Sequence, residues 1–161
     1  MTAEIERKFK VSNDRWRQHA SVGIELRQAY IMASKDRILR VRTIDAHRAV
    51  LTVKIRIGRL QRDEYEYEIP YLDAIEMFAR ALGKIIEKTR HEVEFGGHLW
   101  EVDVYSGEHR GLVTAEVELA NCDDVPPQPT WIGPEITGNQ LYSNRAMAMR
   151  RATASLCAGV N

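Results

Sequence analysis

Full charges recur at alternate positions in segment after segment of this chain: Glu4, Glu6 and Lys8; Arg40 and Arg42; Glu64, Glu66 and Glu68; Lys88 and Arg90; Glu101 and Asp103; Glu116 and Glu118. Alternate residues of a β-strand point to one side, so each set defines a charged strand face. Lys54 stands alone on the same kind of face. The signs are grouped. Arg40, Arg42, Lys54, Lys88 and Arg90 supply cations, while Glu4, Glu6, Glu116 and Glu118 form acidic doublets on the first and last charged segments. Four carboxylates gathered together repel one another unless a hard divalent cation sits among them, and Mg²⁺ or Mn²⁺ prefers oxygen ligands. A row of Arg and Lys facing such an ion suits a polyphosphate, because guanidinium forks match phosphate oxygens and lysine adds point charge. The implied chemistry is phosphoryl transfer.

These side chains need strands to position them. Period-2 segments cover roughly 4–11, 26–33, 38–45, 49–57, 63–69, 85–95, 98–105 and 112–120, each ending near Gly, Asp, Asn, Ser or Pro. Their opposite faces are apolar, as in Ile5 with Phe9, Leu51 with Val53, and Trp100 with Val102. Leu72, Ile75, Phe78, Ala79 and Leu82 recur at helical spacing and predict a packing helix that Gly83 stops. A shorter helix carrying Trp16 is expected from Ser12 or Asn13. The proline-rich segment 123–129 excludes helix and central strand and separates the last strand from a terminal helix. That helix is expected to start near Thr137 to Gln140, with a capping box, and to run through Leu141, Ala146, Met149, Ala152 and Leu156.

An amphipathic antiparallel sheet of this kind has two arrangements open to it. Its charged face stays in water above an apolar, helix-covered face, or the sheet closes with the charged face inward and helices outside. About eight strands suffice for a barrel that holds one small ligand. Closure makes the first and last strands neighbours, and a charged lumen then requires counter-charges.

Composition narrows the partners. The 161 residues are 44% hydrophobic and 29% charged, which fits one globular domain and excludes a disordered or fibrous chain. Lys+Arg and Asp+Glu number 23 each, so no global basic field gathers long nucleic acid or anionic lipid. The opening Met1-Thr2-Ala3-Glu4-Ile5-Glu6-Arg7-Lys8 is charged where a leader needs an apolar core, and no stretch approaches the roughly 20 apolar residues of a membrane span. A cytoplasmic protein is expected. Cys122 and Cys157 lack metal or redox spacing, and His19, His47, His91, His98 and His109 are scattered.

Taken in order, Glu4-Ile5-Glu6-Arg7-Lys8, Gln28-Ala29-Tyr30, Leu39-Arg40-Val41-Arg42, Thr52-Val53-Lys54, Arg62-Asp63-Glu64-Tyr65-Glu66, Glu87-Lys88-Thr89-Arg90, Glu101-Val102-Asp103, Ala115-Glu116-Val117-Glu118 and Tyr142-Ser143-Asn144 resemble the CYTH, or triphosphate tunnel metalloenzyme, superfamily. The length is similar to its short bacterial inorganic triphosphatase members. The resemblance implies an α+β fold: a closed antiparallel eight-stranded β-barrel with helices packed outside, one tunnel domain over 1–161. It implies metal-dependent hydrolysis of tripolyphosphate to pyrophosphate and phosphate, with Mg²⁺ or Mn²⁺ as cofactor. A class IV type adenylate cyclase, a thiamine-triphosphatase and a non-catalytic polyphosphate-binding module are the alternatives. Tyr65, Tyr67, Phe95 and Trp100 are expected to face outward, which leaves few rings inside to stack on a base. By position, Glu4, Glu6, Glu116 and Glu118 are the implied metal ligands. Lys8, Arg40, Arg42, Lys54, Arg62, Lys88 and Arg90 are the implied triphosphate grip. Glu64, Glu66 and Asp103 are the implied tunnel-lining carboxylates that complete the catalytic set with Lys8. Tyr142 and Asn144 are expected to fix the terminal helix near the tunnel mouth. A small triphosphate is the expected partner, without membrane or long nucleic acid, in a monomer or homodimer.

Overall fold

A computed structural model describes residues 2–59 and 61–150. The expected strands form with modest shifts at their ends: β1 (Thr2–Val11), β2 (Ile24–Ala33), β3 (Arg37–Ile44), β4 (Arg48–Arg56), β5 (Gln61–Ile69), β6 (Leu82–Phe95), β7 (His98–Tyr105) and β8 (Val113–Glu118). They pair antiparallel in the order β5-β4-β3-β2-β6-β7-β8-β1, and β1 pairs back onto β5 through Thr2–Ile5 against Gln61–Glu64. The sheet is a closed eight-stranded barrel. A ninth strand that alternation did not reveal, β9 (Ile132–Glu135), adds to β1 through Phe9 and Val11, beyond the stretch that β5 covers. Its Ile-Gly-Pro-Glu sequence has no period-2 pattern, and Pro134 confines it to an edge.

The apolar faces point outward and are roofed. Ile5, Phe9, Val93, Trp100, Val102 and Val117 lie under Trp16 and Trp131, and both Trp16 and Trp100 are wholly buried. Trp16 rides on a 3₁₀ turn, Asp14–His19, whose first turn is capped by the Asn13 side chain accepting from the Arg15 amide. On the other flank, α1 (Tyr71–Phe78) covers Ala29, Val41 and Ala49.

Two helices differ from expectation. In α1 the buried residues are Ala74 and Phe78, whereas Leu72 and Ile75 are exposed and Leu82 begins β6. Gly83 stops no helix: it lies inside β6 at φ +67°, where a Cβ would be driven into the Ala148 carbonyl. The terminal helix is broken. A 3₁₀ turn (Gln140–Tyr142) capped by Asn139 is followed by α2 (Asn144–Met149), because Ser143 is extended and caps afresh, its Oγ accepting from the Ala146 amide. Thr137 caps neither piece, since its Oγ accepts from the Lys8 amide at 2.9 Å and donates to Glu135 at 2.8 Å. The expected continuation through Ala152 and Leu156, like Cys157, lies outside the described residues.

Met147 and Ala148 of α2 pack against Tyr30, Ile86 and Tyr105. Those three share strand faces with Gln28, Lys88 and Asp103, so α2 plugs one end of the barrel from within instead of roofing it from outside. Gly83→Ala combines a left-handed backbone with a clash against α2, and lowers unfolding free energy by about 2–4 kcal/mol in urea titration. A loss below about 0.5 kcal/mol would contradict this seating of α2.

Candidate active site

Closure brings the charged sets together in register. Across β1 and β8, Glu6 opposes Glu118 and Lys8 opposes Glu116, the juxtaposition expected of the first and last barrel strands. Glu4 opposes Arg62, Lys54 opposes Glu64, Glu101 opposes Glu116, and Arg90 opposes Asp103. Directly opposed residues share a face in an antiparallel ladder, so all of these point into the lumen.

The lumen is a cavity of about 860 Å³, bordered by Glu4, Glu6, Lys8, Arg40, Arg42, Lys54, Arg62, Glu64, Glu66, Arg90, Glu101, Glu116 and Glu118. That volume is ample for a small polyanion. Residues 136–140 and 143–146 contribute at the α2 end, where Tyr105 donates to Asn144 Oδ1 at 2.7 Å and Lys10 Nζ sits 4.7 Å from the Tyr142 ring centre. These contacts tie α2 and its preceding turn to the barrel, as expected of Tyr142 and Asn144.

Two of the expected site residues do not border the cavity. The side chains of Lys88 and Asp103 are 0% and 1% exposed, and Asp103 accepts from Lys88 Nζ at 2.5 Å, Arg90 Nε at 2.7 Å and Arg90 Nη2 at 2.8 Å. Only Arg90 of this triad reaches the lumen. Although burial pushes the Asp103 carboxyl up, Lys88 and Arg90 override it and hold it well below the usual carboxylate range. Tyr65 and Tyr67 oppose Val53 and Leu51 on the outward face, as expected, and touch the cavity only at its edge. None of the described histidines borders it.

Cations and carboxylates interleave along the wall. Lys54 Nζ lies 2.8 Å from Glu4 and 3.0 Å from Glu64; Lys8 lies 3.1 Å from Glu116; Arg40 lies 3.6 Å from Glu66; Arg62 lies 3.5 Å from Glu6; and Arg90 lies 2.5 Å from Glu101. Glu101, whose alternation with Asp103 was evident in the sequence, thus braces Arg90 at the lumen. Arg40 Nη2 donates to the buried Thr52 hydroxyl at 3.2 Å, while Arg40 Nε, buried, has no hydrogen-bond partner.

The acidic corner is crowded. Burial and then the Glu116 and Glu4 carboxylates push Glu6 up to about 8, and Glu6 shares a side-chain hydrogen bond with Glu116. Glu116, despite its own burial, is held well below the usual range by Lys8, Arg90 and Lys88. Glu118 at the end of β8 is exposed. Among the described residues no three acidic, histidine or cysteine side chains converge as they stand, because Glu4, Glu6 and Glu116 each turn to a cation. The donor set is nevertheless all oxygen, and two of its carboxyls sit close enough to hydrogen-bond each other. That is the environment a hard divalent cation relieves.

Gln28, Thr52, Tyr30 and Tyr105 also face inward, and composition gave them no role. Gln28 and Tyr30 stand together in one quoted motif. The inward position of Tyr105 follows from its two-residue spacing from Asp103.

Comparison with known proteins gives one family and several relatives. The CYTH domain family model matches residues 2–148. An inorganic triphosphatase of Acetivibrio thermocellus is 44% identical over 145 residues, covering 89% of this chain and 92% of that protein. One from Nitrosomonas europaea is 34% identical over 151 residues, covering 91% and 97%. The crystal structure of the inorganic triphosphatase NE1496 superposes with a TM-score of 0.66 at 30% identity, covering 94% of this chain and 97% of that one.

Proposed function

This chain belongs to the CYTH domain family, and from that premise we propose that it is an inorganic triphosphatase, hydrolysing tripolyphosphate to pyrophosphate and phosphate inside the barrel. The observation that carries this reading is a closed lumen in which Lys8, Arg40, Arg42, Lys54, Arg62 and Arg90 face a carboxylate corner. Relatives named inorganic triphosphatases that match nearly end to end support the same activity.

The proposal includes Mg²⁺ or Mn²⁺ at Glu4, Glu6, Glu116 and Glu118, for which the all-oxygen, crowded donor set is the support. When bound, the cation neutralises charge on phosphate oxygens and lowers the pKa of bound water. The chain's own residues do the rest. The guanidinium and ammonium groups grip the phosphates and hold them in line with the attacking water, and barrel walls keep those charges in a low-dielectric setting where they act most strongly. Glu64 and Glu66 orient Lys54 and Arg40, and Asp103 with Glu101 orients Arg90. Asp103 is therefore a positioning residue in this account, and Lys88 shares its anchorage without touching substrate.

Tyr65 and Tyr67 stand on the outward face at the cavity's edge, which leaves few rings inside to stack on a base or thiazole, and nucleoside and thiamine triphosphates are the competing substrates. Relative kcat/KM for tripolyphosphate, ATP and thiamine triphosphate decides between them. The expected order favours tripolyphosphate by roughly 10- to 100-fold or more. Loss of pyrophosphate from ATP at the higher kcat/KM would instead identify a cyclase. No helix among the described residues is long and apolar enough to cross a membrane, and a cytoplasmic setting is part of the proposal.

A further inference from the structure

Gln28 opposes Arg42 across the β2–β3 ladder, and its side chain is fully buried. Its Oε1 accepts from Arg42 Nε at 3.2 Å and Nη2 at 3.0 Å, and its Nε2 donates to the Tyr30 hydroxyl at 3.3 Å. Tyr30 in turn packs with Ile86 and Tyr105 against α2, so the amide is braced from behind. Lys8, Arg40, Lys54, Arg62 and Arg90 each have a carboxylate within ion-pair distance. Arg42 has none among the described residues. Burial, with Arg40 and Arg90 nearby, outweighs the longer-range pull of Asp103 and lowers its guanidinium to about 9, which still leaves it cationic at neutral pH. A carboxylate in place of the amide would fix the same fork but cancel its charge, whereas a neutral carbonyl fixes it and leaves the charge exposed to the lumen.

Resting on the triphosphatase reading, we propose that Gln28 is a positioning residue that aims Arg42 while keeping it uncompensated, making Arg42 the preformed anion anchor of the tunnel. The other lining cations must give up or share a carboxylate when a polyanion enters. Arg42 has no ion pair to release, so more of its attraction goes to the ligand.

The test titrates tripolyphosphate calorimetrically in EDTA, alongside steady-state kinetics with metal, for wild type, Gln28→Glu, Gln28→Met, Arg42→Ala and the Gln28→Glu/Arg42→Ala double variant. Gln28→Glu is expected to weaken binding roughly 10- to 100-fold, close to Arg42→Ala, with KM rising in step. Gln28→Met keeps the charge but loses the aim, so it weakens binding by only about 3- to 10-fold and lowers kcat. The double variant should bind within about threefold of Arg42→Ala alone, because Gln28 acts through Arg42. Wild-type affinity in Gln28→Glu, or additive losses in the double variant, would overturn the tether. Tripolyphosphate that binds wild type but is never cleaved overturns the proposed reaction and leaves the tether to be judged on affinity; a wild type that does not bind it overturns both.

Discussion

Glu6→Gln lowers tripolyphosphate turnover by roughly two to four orders of magnitude while the barrel stays folded. Glu6 lies between Glu116, with which it hydrogen-bonds, and the Arg62 guanidinium at 3.5 Å, at the centre of the acidic corner. An amide has the same shape, and the Glu6 carboxyl, pushed up to about 8, is already largely protonated at neutral pH, so the apo protein melts close to the wild-type temperature. The amide is a far weaker donor to a divalent cation and leaves the corner one negative charge short. A tenfold loss of rate corresponds to about 1.4 kcal/mol, so the expected effect is about 3–5 kcal/mol of lost transition-state stabilisation. Mn²⁺ is expected to raise the melting temperature of the wild type, and the same substitution to abolish most of that rise, a readout independent of turnover. Turnover within about threefold of wild type would remove Glu6 from the metal site.

Asp103→Ala produces the largest expected loss of stability, about 3–5 kcal/mol in urea titration at neutral pH. The Asp103 carboxylate, 1% exposed, satisfies both Lys88, whose side chain is 0% exposed, and two nitrogens of Arg90. Removing it strands one cation with no carboxylate partner and leaves the other on Glu101 alone. A buried cation without its anion, beside a second that keeps only Glu101, is among the costliest defects a core can hold. Asp103→Asn keeps the shape and loses the charge, and should fall between Asp103→Ala and wild type. A loss below about 1 kcal/mol for Asp103→Ala would mean the triad is solvated and that Asp103 is free to take part in chemistry directly.

The charged lumen was legible because β-strand geometry leaves no choice: residues two apart share a face whatever the fold. Glu4 with Glu6, Arg40 with Arg42 and Glu116 with Glu118 could therefore be assigned to faces from the sequence, and grouping of their signs anticipated the opposition of Glu6 to Glu118. Depth along the barrel carries no such period. Arg90, Lys88 and Asp103 share the inward face, yet only Arg90 reaches the cavity, because the other two sit sealed beneath it in mutual ion pairs. Tyr65 and Tyr67 follow the alternation, opposing Val53 and Leu51 on the outward face, and meet the cavity only at its edge. Among the helices, periodicity gave the right segment for α1 and its buried Phe78 but not the rest of the face: two turns pack through Ala74 and Phe78, and Leu72 is left in solvent. The break at Ser143 and the left-handed Gly83 depend on where α2 enters the barrel, which is a long-range contact. Gln28 is neutral, and its role becomes visible only when Arg42 is found opposite it without a carboxylate.

Cleavage of an inorganic triphosphate with a divalent ion at the acidic corner is the activity proposed for this barrel. Phosphorus NMR of tripolyphosphate incubated with the wild-type chain, in Mg²⁺ or Mn²⁺ and again in excess EDTA, tests it most directly. Pyrophosphate and phosphate are expected to accumulate in equal amounts with metal, and the tripolyphosphate spectrum to stay unchanged with EDTA. Tripolyphosphate left intact in the presence of either ion, or cleaved equally well in EDTA, would contradict it.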